Sequence, residues 1–236
     1  MGRVSWKIWV PGVVLLAVMV AGVTGNVMQG NYIALLLLAG AVAAAGLMVF
    51  VSQFRARLLF RAKTPEGVIG HYHNLVRRIP HADAAAAYLS AMAAAAYGDF
   101  ARARQELSVV QWRDKPPLYQ SQQQYALATL ALMEEQDPEK ALALARQGRD
   151  IEAAAPGGEV QVIFHVIETV AGAETAEGVA RLEETAKRKS GLVPALALWA
   201  LALHYQRLGR EAEARQCTLR LRNAAPNCKS LVQVKS

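Results

Sequence analysis

Five histidines and two cysteines are the side chains of this 236-residue chain best suited to chemistry. His71 and His73 stand two apart, and an i, i+2 pair points to different faces of a helix. Together they could hold a metal ion only from a strand or a turn, given the geometry zinc requires. His81, His165 and His204 are isolated, and His204 beside Tyr205 belongs in or beside a core. Cys217 and Cys228 form no CxxC arrangement, which points to neither a disulfide framework nor a zinc site. A helix running up to Pro226 holds them beyond bridging distance, so two reduced thiols in a cytoplasmic domain are expected. No Gly-rich phosphate loop, GxSxG or HExxH is present. The expectation is a protein that is not an enzyme, with no catalytic residue, no metal site and no cofactor.

The elements that would position these side chains are helical. The segments 81–97, 100–111, 119–136, 139–153, 159–170, 176–189, 194–208 and 211–225 each carry helical periodicity. Gly98-Asp99, Asp137-Pro138, Pro156-Gly157-Gly158 and Gly209-Arg210 part them. No alternating strand pattern is found, and the fold class expected is all-α. Upstream, Thr64-Pro65-Glu66 reads as N-cap, first helical position and favourable dipole charge of a further helix. Ala84 to Ala96 is too short for a membrane span and is bracketed by Asp83 and Asp99. It reads as a helix in close contact with its neighbours.

Residues 8–54 carry no Lys, Arg, Asp or Glu. Two apolar runs, 8–23 and 32–51, flank a polar Gly- and Asn-containing turn, which predicts a transmembrane hairpin over residues 1–54. Arg3, Lys7, Arg55, Arg57, Arg61 and Lys63 flank the runs while the turn is uncharged, so both ends are expected on the cytoplasmic side. If residues 1–25 were instead a cleaved signal peptide, the second run would still deliver the rest of the chain to the cytoplasm. Trp6 and Trp9 sit where aromatics anchor at the membrane interface. Ala39, Gly40, Ala43, Ala44 and Gly46 allow close helix approach, within the hairpin or against another membrane subunit. Residues 55–80 read as a basic juxtamembrane segment, with contacts to anionic headgroups, and a linking helix.

The formal charge of +7 resides in those flanks, because from Thr64 onward twenty basic residues meet nineteen acidic ones. A nucleic-acid footprint is therefore disfavoured. Residues 134–184 hold twelve acids against Lys140, Arg146, Arg149 and Arg181, whereas 207–235 hold seven bases against Glu211 and Glu213. Such a chain presents either an acidic middle and a basic end to a partner, or solvated outer faces.

Laying the helices over one another exposes a recurring pattern of small residue, tight turn, aromatic and small residue. Ala91, Gly98, Phe100 and Ala103 form one copy; Tyr125, Leu132, Asp137-Pro138 and Ala141 belong to a second; Ala202, Tyr205, Gly209, Ala214 and Pro226 form the clearest. Ala180 stands at the marker position of a more divergent copy, in which Glu168 falls where a small residue is expected. Over residues 81–226 this resembles the tetratricopeptide repeat family. The resemblance implies a TPR-like α-solenoid of about four helix pairs with a concave surface that holds segments of other proteins, followed by a C-terminal tail, 227–236. The final pair is expected to cap itself.

Within the connector 111–117, Trp112 and Arg113 are the candidate partner-binding residues; a Trp folded back over a repeat junction is the other reading of Trp112. Trp199 is expected in the core. The combined expectation is a membrane-anchored scaffold or adaptor that recruits protein partners at the cytoplasmic face of a membrane. Its layout resembles that of bacterial envelope-associated repeat proteins, with the inner membrane as its location. The alternative is an accessory subunit of a membrane complex bound through its hairpin.

Overall fold

The computed structural model describes residues 60–155, 160–188 and 191–232. The chain divides into two units, Met1–Arg55 and Ala56–Ser236, and the described residues belong to the second. The expected hairpin, with Arg3, Lys7, Arg55 and Arg57, lies outside the described residues. Among the described residues no helix is long and apolar enough to cross a membrane.

The protein is all-α: every regular element among the described residues is helical. In chain order these are α1 (Glu66–Val76), α2 (Ala82–Tyr97), α3 (Phe100–Ser108), a 3-10 turn (Trp112–Asp114), α4 (Pro117–Leu130), a π turn that continues it (Ala131–Glu135), α5 (Pro138–Ala153), α6 (Val162–Val170), α7 (Ala176–Ala186), α8 (Leu192–Arg207), α9 (Glu211–Ala224) and α10 (Lys229–Val232).

Local chemistry sets the boundaries. Asp99 and Asp137 accept the backbone N–H of Arg102 and Lys140 at 3.0 and 2.9 Å, and Thr175 accepts that of Gly178 at 3.1 Å. Each side chain thus satisfies a donor that a helix start leaves orphaned. The cap expected at Thr64 does not form. Helix α1 begins one residue later, with Pro65 already in helical conformation and no side-chain cap. The Thr64 hydroxyl instead bonds the Glu66 carboxylate and, with the residue's own backbone amide, lowers its pKa.

Four turns share one construction. Gly98, Gln136, Gly172 and Gly209 all have positive φ, at intervals of 38, 36 and 37 residues. The N–H that follows each reaches back across the turn: Asp99 to Ala94, Asp137 to Ala131, Ala173 to Glu168 and Arg210 to Tyr205, all at 2.9–3.0 Å. A left-handed residue closing a helix in this way satisfies its last carbonyls. The bond from Asp137 spans one residue more than the others, because α4 widens into its π turn. After Gly172 the next helix is capped only at Thr175, so the fourth residue of α7 is Val179 rather than Ala180. Ala180 is accordingly exposed, and buried Gly178 makes the close approach instead.

Burial sorts the helices into two layers. In α2 and in α8 twelve of sixteen residues are buried, against four of sixteen in α5 and three of fourteen in α9. The inner helices α2, α4, α6 and α8 pack in succession, each with its outer partner, and α5 and α7 also touch the next inner helix. Alanines make this possible: Ala84, Ala93, Ala94, Ala96, Ala128, Ala197, Ala200 and Ala202 are fully buried, and a methyl side chain permits close backbone approach while favouring the helix.

Residues 227–232, read from sequence as part of a tail, turn back on the domain. Helix α10 packs on α2, α8 and α9, and both Cys228 and Leu231 are 0% exposed. The circuit α2–α4–α6–α8 is thereby joined through α10.

Candidate functional site

The ends of α2, α4 and α6, one side of α8 and helix α10 surround a depression of about 610 Å³. Tyr97 comes from the end of α2, Phe100 from the start of α3, Leu132 and Met133 from the π turn, Val170 from α6, and Trp199 and Leu203 from α8. Gln136, Lys229 and Ser230 complete its polar rim, and among the described residues Lys229 is the one charged residue in the lining. The π turn is what delivers Leu132 and Met133, both half-buried; such single-turn widenings recur at functional sites.

The walls are held from outside. Tyr97 Oη donates to Ala62 O at 3.0 Å, while burial raises the pKa of its hydroxyl. The Arg207 guanidinium donates to Val170 O at 3.1 Å and also to Thr169 O, capping α6. Glu174, in the residues inserted after Gly172, takes a 2.7 Å contact from His204 Nδ1 and bonds Arg207 at 3.2 Å. Burial acts to raise the Glu174 pKa, but its own backbone amide, His204 and Arg207 together outweigh that and hold it below the usual carboxylate value. Tyr205 Oη donates to Glu183 at 2.6 Å, and burial first, then this bond, pushes its hydroxyl up to about 12.

A second polar cluster lies inside the α4–α5 pair. Buried Glu152 accepts from Tyr125 Oη at 2.6 Å, from Ser121 Oγ at 3.1 Å and from the Gln161 side chain. Gly148 makes this possible: a Cβ there would lie 2.9 Å from Tyr125 Cε1 and 3.2 Å from Ser121 O. Burial and the Glu152 bond both raise the Tyr125 pKa. The cluster holds a carboxylate by neutral donors, and its role is to lock two helices in one register.

The residues singled out by sequence are dispersed. Gly98 and Phe100 border the depression; Ala91, Ala103, Tyr125, Ala141, Ala202, Tyr205 and Ala214 are buried between helices. Gly209 closes α8, and exposed Pro226 follows the end of α9. Trp112 is not a surface anchor: it is buried, and its Nε1 donates to Leu107 O at 2.8 Å, folded back over the end of α3. Arg113 beside it is exposed. Arg61 and Lys63 are exposed ahead of α1.

His71 and His73 are both exposed, and no group of three His, Cys, Asp or Glu side chains among the described residues is placed to hold a metal ion. His165 is buried, with Nδ1 3.4 Å from Glu168 Oε2, within ion-pair distance but outside hydrogen-bonding geometry. Cys217 and Cys228 are free, buried thiols; burial raises both, Cys228 to about 12.

The acidic middle of the sequence is largely spoken for. Glu134 and Glu135 meet Arg104 at 2.7 and 2.9 Å, Glu135 also meets Lys140, Glu177 pairs with Arg181, and Glu152 is buried. Sequence reasoning missed Leu132, Met133, Leu203 and Lys229 as members of one site. The available signal was the turn at Gln136, where the other copies place glycine.

No family model matches the chain, and neither the curated proteins nor the solved structures contain a match to it.

Proposed function

We propose that this protein is a membrane-anchored, TPR-like scaffold that holds a protein partner at the cytoplasmic face of a membrane, and that the partner docks in the depression between the ends of α2, α4 and α6 and the side of α8. The observation that carries the reading is the lining itself: seven apolar or aromatic side chains from four helices and the π turn, with Lys229 the one cation on the rim among the described residues. Apolar concavities with a few placed polar groups are the usual form of a binding site. An extended or helical peptide segment with bulky apolar side chains and one carboxylate matches it, the side chains against Phe100, Met133 and Leu203 and the carboxylate on Lys229.

Two further features support the scaffold reading. The left-handed turns recur at 36–38 residues, close to the spacing of helical-pair repeats. The uncharged stretch 8–54, with bases on both flanks and none in its turn, supplies the anchor and its orientation.

The test is co-purification of the full chain from native membranes in three forms: unaltered, Met133→Glu with Leu203→Glu, and Leu219→Glu on the outer helix α9. The expected result is a partner retained by the unaltered chain and by Leu219→Glu and lost from the double variant, with all three equally helical and equally membrane-bound. Retention by the double variant and loss from Leu219→Glu would overturn the reading.

A further inference from the structure

The C-terminal residues sit in the domain as a ligand sits in a cleft. Helix α10 is a single turn of four residues, too short to hold its shape alone. It is set apart from α9 by Ala225, whose φ of −142° and ψ of 62° are not helical, and by Pro226. Two side chains anchor it: Cys228, near Tyr72 and Tyr97, and Leu231, three residues on and on the same face. Around them Lys229 is exposed and Asn227, Ser230 and Val232 are half-buried. Apart from the α9 end, its polar side-chain hold is Asn227 Nδ2, which donates to Arg61 O at 2.9 Å and to Ala62 O at 3.1 Å. The walls beneath belong to α2 and α8, which are fastened to the rest of the domain through α4 and α6 and not through α10.

We infer that residues 226–232 are an exchangeable strap, and that the cleft between α2 and α8 which they fill is a peptide-binding site for a segment of the strap's own kind: one helical turn with a small and a leucine side chain three apart and a lysine between them. The strap leaves as a unit while the four helix pairs stay folded, because two buried anchors hold it and dozens hold the body. Segments held by few buried contacts open far more often than the core. This deepens the docking reading, since Lys229 and Ser230 of the strap form part of the rim of the depression, and release of the strap would join the depression to the cleft in one groove.

Two thiols make the inference testable on the full chain in detergent without any partner, so that its failure and that of the docking reading are separate. In the closed structure Cys228 is the deeper of the two, 0% exposed against 7% for Cys217, and its thiol is also pushed higher. A rigid domain therefore alkylates Cys217 first. An opening strap reverses the order: under native conditions Cys228 is expected to react with iodoacetamide at least about tenfold faster than Cys217, because opening bares Cys228 while Cys217 stays packed on folded α9. A synthetic peptide of residues 226–236 carrying Cys228→Ser is expected to bind the vacated cleft and accelerate Cys228 alkylation further; the same peptide with Leu231→Asp is expected to do nothing. Equal rates at the two thiols, faster reaction at Cys217, or indifference to the first peptide would each overturn the inference.

Discussion

Asn227 and Ala62 stand 165 residues apart in the chain, and the Asn227 amide donates to the Ala62 carbonyl at 3.1 Å. The same carbonyl accepts from Tyr97 Oη, so the segment before α1, the end of α2 and the C-terminal strap share one oxygen. Replacing Asn227 by Ala leaves that oxygen its tyrosine partner and removes only the strap's hold. The loss is expected at about 0.5–1.5 kcal/mol, the net worth of such bonds. It should appear as faster amide exchange at residues 228–232 with the amides of α8 unchanged.

Gly148→Ala places a methyl 2.9 Å from Tyr125 Cε1 and 3.2 Å from the Ser121 carbonyl, and the second of these is backbone that cannot yield. Although alanine favours the helix, overpacking dominates here, and a destabilisation of about 1–3 kcal/mol is expected from denaturant unfolding. A mild stabilisation would show that the α4–α5 contact is looser than the structure has it.

Two tyrosine hydroxyls bond carboxylates at 2.6 Å in different surroundings. Tyr125→Phe strips a donor from Glu152, which is 4% exposed, and is expected to cost about 1–3 kcal/mol, the cost of an unmet buried group. Tyr205→Phe releases exposed Glu183 to water, and its cost is expected within about 0.5 kcal/mol. Thermal unfolding of the two variants side by side measures the difference.

Acid should loosen the link between α6 and α8. The folded-state pKa of Glu174 lies below its ordinary value of 4.5, so its ionised form stabilises the fold above the unfolded pKa. That contribution declines as pH falls from about 4.5 through the folded value. Glu174→Gln is expected to be less stable than the unaltered chain at pH 7 and to converge with it in acid, read from unfolding midpoints at a series of pH values.

Much of the helical framework was legible because its signals are local. Asp99 and Asp137 announce helix starts, Gly98 and Gly209 announce stops, and alanines at a helical spacing announce close packing. What escaped the sequence depends on contacts between distant residues. Nothing near Trp112 says whether it faces outward or covers Leu107. Helix α10 of the strap is four residues of ordinary composition, and only its fit against α2, α8 and α9 makes it a helix. The π turn is one extra residue in α4, visible as a missing glycine at Gln136 but without a local cause. The depression follows from both, since the π turn supplies Leu132 and Met133 and the strap supplies Lys229.

The docking account stands on where a partner touches the chain. Photo-crosslinking answers that directly, with a photoreactive residue at Met133, at Leu203 or, on the outer layer, at exposed Leu219 of α9, each in the full chain in native membranes. The account predicts one common adduct from Met133 and Leu203, lost with Lys229→Glu, and none from Leu219. An adduct from Leu219 with none from Met133 or Leu203 would contradict it and move the partner to the outer helices.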